Sequence, residues 1–194
     1  MTKQVLFIHG WMNQRPEGAW QREVASVLRK QGHQVYFPQL PQPATPVFAE
    51  WAEVIIGELD QIREANTGQE VVVIGHSMGA LAWLRLAASG LVATPVDRAL
   101  LVAPALPSLL PDFPDFGVSL DAVLLESAAK ATYLVGGDED PWQPNGIAED
   151  FGKPLGVSSV VIPDAGHIII ETGFGPWPGL VNWVNDPASD LSLR

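Results

Sequence analysis

Cysteine is absent from this 194-residue chain. Disulfides, thiolate metal sites and a cysteine nucleophile are therefore excluded. Basic residues are scarce too: 11 Lys and Arg stand against 22 Asp and Glu, giving a net charge of −11 and a pI near 4.6. That balance argues against nucleic acid as a partner, because phosphates need a positive surface. It also disfavours docking on anionic membranes. No apolar segment reaches the length of a membrane span. Met1-Thr-Lys-Gln, ahead of the first apolar run, is too brief for a signal peptide, so the expected location is the cytoplasm. No G-x-G-x-x-G follows an apolar run, and the histidines lack H-x-x-x-H spacing. Neither a dinucleotide cofactor nor a metal is expected.

What is present reads as one globular domain spanning residues 1–194. Hydrophobic residues make up 47% of the chain and mean hydropathy is +0.14, far from the composition of disordered chains. The length suffices for one full core and is short for two. Composition points to no particular protein partner and leaves the oligomeric state open.

Apolar runs and helical stripes alternate along the chain. Strands are expected at Val5–Ile8, Gln34–Phe37, Val71–Ile74, Arg98–Ala103, Ala131–Val135 and Ser158–Ile162. Between them lie a helix from about Gly18 to Lys30, with Trp20, Val24, Val27 and Leu28 on one face, and a second with Thr45 as cap and Pro46 at its first position. A third runs from Ala80 to Ala88, apolar nearly all round and closed by Gly90. Shorter helices are expected near Leu120–Ala129, Ile147–Phe151 and Leu180–Val184. The pattern predicts an α/β fold: about six parallel strands with helices on both faces. Trp20, Trp51, Trp83 and Trp183 fall to the helix–sheet core.

The informative stretch is Gly75-His-Ser-Met-Gly79, directly after a β-branched strand. Its spacing is that of the G-x-S-x-G nucleophile elbow, where a serine projects from the carboxyl edge of the sheet. By chance this spacing arises in roughly one chain in fifteen at average Gly and Ser usage, and a serine that merely caps the helix is the plain alternative. The position of the other polar clusters carries more weight. His9-Gly10, Gly136 to Asp140 and Asp164 to His167 also follow strands, where open α/β sheets gather their functional groups.

A serine hydroxyl needs a base, and the base needs a carboxylate to fix its tautomer. His167, in a small-residue loop after the last strand, is the candidate base. His76 points elsewhere and packs or bonds locally, His33 lies at the surface, and His9 orders the first loop. Asp140, with Pro141 fixing the turn behind it, is the candidate acid; Asp138 is the runner-up, and Asp164 forms a turn. The order Ser, acid, His is that of an α/β hydrolase. The backbone N–H of Met78, at a helix N-terminus, and that of Trp11, less so Met12, are the candidate oxyanion donors. Trp142, Phe113, Phe116 and Ile168 are candidate pocket residues, and Trp11, Trp142, Phe174 and Trp177 suggest an apolar mouth.

Leu6-Phe-Ile-His-Gly10, Gly75-His-Ser-Met-Gly79, Gly137-Asp-Glu-Asp-Pro141 and Gly166-His167 together resemble the α/β-hydrolase superfamily across essentially the whole chain. The short length, Trp20 opening the first helix, Leu100 to Ala105 before a proline-rich loop, and Asp-Pro-x-x-Pro at Asp140 to Pro144 are similar to the small serine hydrolases related to retinoblastoma-binding protein nine. That resemblance implies Ser77, Asp140 and His167 as a triad, a lightly covered site, and esterase-like activity on small acyl substrates. His9-Gly-Trp-Met departs from the glycine-rich oxyanion loop of many esterases. The interval from Ser77 to Asp140 holds one strand, its connections and a helix, which leaves no room for a large lid domain; Leu106 to Phe116 is the one candidate flap. The leading expectation is a serine hydrolase of the carboxylesterase type, with no cofactor and a small acyl substrate. A hydrolase-fold binding or regulatory protein, or an amidase, thioesterase or perhydrolase using the same triad, are the alternatives.

Overall fold

Each apolar run forms a strand because the sheet is covered on both faces. The computed structural model describes residues 1–65 and 68–194. Its six strands are β1 (Gln4–Ile8), β2 (Gln34–Tyr36), β3 (Val71–His76), β4 (Val96–Val102), β5 (Ala129–Gly137) and β6 (Ser159–Ile162). They pair in parallel in the order β2-β1-β3-β4-β5-β6. Side chains alternate between faces, so neighbours in sequence enter different cores. Val5, Phe7, Val72, Ile74, Leu100 and Val102 lie under α1 (Trp20–Lys30) and α5 (Pro178–Asn185). Leu6, Ile8, Val73, Ala99 and Leu101 lie under α2 (Phe48–Ala65) and α3 (Met78–Ser89). The central strands therefore read as unbroken apolar runs. The fold is a single-domain α/β-hydrolase arrangement. Trp20, Trp51, Trp83 and Trp183 are buried as expected.

The boundaries of two helices differ from expectation for physical reasons. The second helix does not start at Pro46 behind a Thr45 cap. It starts at Phe48, whose N–H donates to the Asp115 carboxylate at 2.6 Å. The cap arrives from a loop far along the chain, and no local pattern announces it. The segment near Leu120–Ala129 is not a helix either. It makes two 3-10 turns, Leu120–Ala122 and Leu125–Ser127. Val118, Leu120, Val123 and Leu125 reach the core while Leu124 stands 63% exposed, a spacing that 3.6 residues per turn does not supply. Near Ile147 the chain forms a π turn, Ala148–Gly152, that runs into the one-turn helix α4 (Lys153–Leu155).

The amino edge of the sheet is held by charge. Arg98, 4% exposed, donates from Nη1 to the Trp183 carbonyl and from Nη2 to that of Val184, both at 2.8 Å. These are terminal carbonyls of α5, which would otherwise lack donors. Glu70 bonds both Arg98 and Lys3. Burial raises the Glu70 carboxyl, but the bonds from Lys3 and Arg98 overcome it and hold the group below its ordinary range. His33, expected at the surface, is buried at the same edge. Its Nδ1 accepts from the Lys3 N–H at 3.1 Å and its Nε2 bonds Asn185 Oδ1 at 3.1 Å. It ties β1 to α5.

Replacing Arg98 by Met keeps the buried stem but leaves Glu70 with Lys3 alone and strands two helix carbonyls. Thermal unfolding of R98M is expected to show a loss of about 3 kcal/mol, or roughly 6–12 °C in Tm for a domain of this size.

Candidate active site

Four strand ends deliver the polar clusters to one place. β3 ends at His76 and α3 begins at Met78, leaving Ser77 alone to make the bend. Its backbone sits at φ 54°, ψ −121°, a strained conformation for a residue with a side chain. Ser77 occupies the N-cap position of α3, yet its side chain makes no capping bond. The capping alternative therefore fails. The flanking glycines are required by contact: a Cβ on Gly79 would lie 2.4 Å from the Ile8 carbonyl oxygen, and one on Gly75 would lie 2.9 Å from Ala80 Cα. The end of β1 is thus seated against the start of α3.

Ser77 Oγ lies 2.9 Å from Nε2 of His167. On the other side of the ring, Nδ1 lies 2.8 Å from Asp140 Oδ2 and 3.0 Å from Oδ1. A carboxylate only accepts, so Nδ1 carries the proton and Nε2 is left to accept from the serine hydroxyl. All three residues are buried. Asp140 Oδ1 also accepts from the Trp142 N–H at 2.9 Å, which fixes the carboxylate in its turn. Asp138 is directed elsewhere, accepting from the Ala165 N–H at 3.3 Å. The sequence's first choice of acid is the one the fold brings to His167.

A family model for serine hydrolases matches residues 5–185. The chain belongs to that family.

No curated protein matches this serine hydrolase. Among solved structures it is similar to a putative YdeN-like hydrolase from Pectobacterium atrosepticum, at 23% identity and a TM-score of 0.72, over 94% of this chain and 89% of the other. The ydeN gene product of Bacillus subtilis aligns at 20% identity and a TM-score of 0.74, over 95% and 97%. Est1E of Butyrivibrio proteoclasticus, solved with ferulic acid bound, aligns at 16% identity and a TM-score of 0.67, over 88% and 85%. These likenesses establish the α/β-hydrolase fold.

The cavity over Ser77 measures about 300 Å³. Gly10, Trp11 and Met78 line it, together with Ala105, Leu110 and Trp142. The Met12 N–H is taken by the Pro43 carbonyl at 2.8 Å, which removes it as an oxyanion donor and favours Trp11. Two expected pocket residues are elsewhere. Phe116 is fully buried beneath α2, edge-on to Trp51 and Phe48. Ile168 is also fully buried, turned into the core under α1, and its neighbours Ile169 and Ile170 line the cavity instead. Phe113 stands beside the mouth, its ring 6.0 Å from that of Trp11. Phe174 and Trp177, expected at the mouth, are core residues. Apolar loop residues are more valuable to a small core than to a rim. Among the described residues, no group of three or more His, Asp or Glu side chains is placed to hold a metal ion.

Sequence reasoning missed the clamp on the base. Trp20 Nε1 donates to the Ile168 carbonyl at 2.8 Å, and His76 Nε2 bonds the His167 carbonyl at 3.1 Å. The His76 bond spans 91 residues of chain, where a local bond was expected. Since the carbonyl accepts, His76 carries its proton on Nε2. Burial, then the neighbouring His167, push the His76 pKa down to about 3. His9 does order the first loop. It accepts from the Leu40 N–H at Nε2 (2.9 Å), so its Nδ1 donates to the Gly10 carbonyl at 2.8 Å. Burial chiefly lowers its pKa to about 4. Both rings are neutral at pH 7.

In the unfolded chain these histidines titrate near the ordinary 6.5. Their folded pKa values are lower, so the unfolded state binds more protons and stability falls as pH drops below about 6.5. Moving from pH 7 to pH 5 is expected to cost about 2 kcal/mol for each ring. Urea midpoints at the two pH values check this, and His9→Gln is expected to remove the contribution of one ring.

Proposed function

We propose that this serine hydrolase cleaves small carboxylic esters through an acyl-enzyme formed on Ser77. The observation that carries the reading is the unbroken hydrogen-bonded line from Asp140 through His167 to the Ser77 hydroxyl. His167 takes the hydroxyl proton as Oγ attacks the ester carbonyl, and Asp140 holds the ring and stabilises the imidazolium that forms. The Met78 and Trp11 amides face the developing oxyanion. His167 then returns its proton to the leaving alkoxide, the C–O bond breaks, and the acyl group stays on Ser77. Water, activated by the same base, releases the acid.

A cavity of about 300 Å³ lies at the small end of ligand sites, which favours short acyl groups. Ala105, Leu110 and Trp142 offer them an apolar wall. Est1E, with the same fold, holds a carboxylic acid, the product class of ester cleavage. No helix of the described residues is long and apolar enough to cross a membrane, and a freely diffusing small ester, met in the cytoplasm, is the substrate class we favour.

A fluorophosphonate is expected to label wild type, and Ser77→Ala to abolish both labelling and hydrolysis of p-nitrophenyl butyrate, by at least about 10³-fold. Absence of labelling and turnover in the wild type overturns the reading. Asp140→Asn is expected to lower kcat by about 10²–10⁴-fold through loss of the correct tautomer, whereas Asp138→Asn stays within about threefold. The reverse ranking would move the acid to Asp138.

A further inference from the structure

Three arginines stand beside the catalytic cavity without a counter-charge. Arg15 lines the cavity over Ser77 and also lines a second groove of about 290 Å³ with Arg22, Ala25, Arg29 and Phe37. Arg15 is common to the two spaces. Among the described residues, none of these arginines has a carboxylate within ion-pair distance; Lys30, Arg85 and Arg194 also lack one, whereas Lys3, Arg63, Arg98, Lys130 and Lys153 each have one. What sets Arg15, Arg22 and Arg29 apart is that all three line one groove.

The geometry of the groove suits an extended anion. Arg22 and Arg29 are seven residues apart on one face of α1, about 10 Å along its axis, with the small Ala25 between them. Arg15 is half-buried, with its guanidinium 4.1 Å above the Phe37 ring and one N–H on Gln39 Oε1 at 3.3 Å. Arg29 places one N–H on the Val35 carbonyl at 3.3 Å. Burial, and then the like charge of Arg29, press the Arg15 guanidinium below its ordinary range. It stays charged at neutral pH, and a phosphate between these forks would relieve the repulsion and accept paired hydrogen bonds.

The groove also borders the cavity that holds Ser77, at Arg15. Ile169 and Ile170 line the same cavity as Arg15, so this wall includes the loop that carries His167. The leaving group departs beside His167, which supplies its proton. Ala105, Leu110 and Trp142 line the same cavity, Trp142 with its ring 6.2 Å from that of His167. We propose that the leaving group of the substrate carries phosphate, held along this groove by Arg15, Arg22 and Arg29. The inference rests on the serine hydrolase reading above. The bond from the acyl carbon to the leaving oxygen or sulfur breaks, His167 protonates that atom, and a phosphorylated alcohol or thiol departs. Water completes the turnover and yields the free acid.

Butyryl-pantetheine and butyryl-4′-phosphopantetheine differ only in the phosphate and reach beyond the cavity. Wild type is expected to favour the phosphorylated thioester by at least tenfold in kcat/KM. In Arg22→Gln/Arg29→Gln that ratio is expected to fall to within about twofold of unity, and Arg22→Lys/Arg29→Lys is expected to recover part of it. A wild-type ratio near one, with both thioesters hydrolysed, overturns the proposal and leaves the serine hydrolase reading standing. Calorimetric titration of Ser77→Ala protein reads the groove without turnover: 4′-phosphopantetheine is expected to bind at least tenfold more tightly than pantetheine. Equal binding of the two overturns the proposal, and inorganic phosphate binding as tightly as 4′-phosphopantetheine overturns the leaving-group assignment. Preferential binding of 4′-phosphopantetheine together with no labelling and no hydrolysis in wild type would instead bring down the hydrolase reading.

Discussion

One imidazole has to reach two fixed points at once. Ser77 and Asp140 are placed by the ends of β3 and β5, rigid elements in a sheet buried on both faces. His167 lies on an irregular loop, and its ring must meet Oγ at 2.9 Å and Oδ2 at 2.8 Å. A hydrogen bond weakens steeply beyond this range, so the loop's backbone must be held to a few tenths of an ångström. The surrounding structure serves that need. Trp20 and His76 bind the Ile168 and His167 carbonyls, and the Thr172 hydroxyl donates to the Ala165 carbonyl at 2.8 Å. Gly137 gives the loop room to close: a Cβ there would lie 2.2 Å from the Gly166 carbonyl oxygen. Ile168, driven into the core, anchors the chain one residue past the base.

This need accounts for what the sequence disclosed and what it withheld. The strands, α3 and the four polar clusters were legible because each depends on a local signal: β-branched runs, the Gly75–Gly79 spacing, small and polar residues directly after a strand. Asp140 was separable from Asp138 because Pro141 behind it marks a tight turn. The start of α2 was not legible, since its cap is the Asp115 carboxylate from a distant loop. Nor was the clamp on His167, because the residues that form it sit in β3 and α1. Ile168 and Phe116 were assigned to the pocket by proximity to the site in sequence. Burial overrode that, because a 194-residue domain uses nearly every large apolar side chain to complete its core. Adjacent loop residues face opposite ways, which is why Ile169 and Ile170 reach the cavity and Ile168 does not.

The two edges of the sheet divide the labour. At the amino edge, charged groups are fully engaged: Arg98 with Glu70 and two helix carbonyls, His33 with β1 and α5. These bonds close the ends of helices and are made once, on folding. At the carboxyl edge the polar groups bond one another around Ser77, which lines the cavity. His9 and His76 contribute there as neutral rings, their protons committed to backbone carbonyls, so no second cation competes with His167 for Asp140. A charged His76, with its ring centre 5.3 Å from that of His167, would oppose formation of an imidazolium. Holding His76 neutral by burial therefore serves the base as well as the fold.

The charge of the molecule works on two length scales. A net charge of −11 repels anions at long range, which is a poor arrangement for a protein that captures a phosphorylated substrate. At physiological salt, however, the field between exposed charges fades over about 8 Å. Arg15, Arg22 and Arg29 line the groove beside the cavity without a carboxylate within ion-pair distance, while Glu171 lines the cavity itself. Distant acidic residues then cost the encounter rate a modest factor, while the arginines decide what remains bound. An uncharged ester of similar shape gains nothing from those arginines. The cavity alone must hold it, and a space of about 300 Å³ grips a small acyl group weakly. Selectivity thus comes from outside the reacting centre, where binding energy can be applied to orient the ester carbonyl over Ser77.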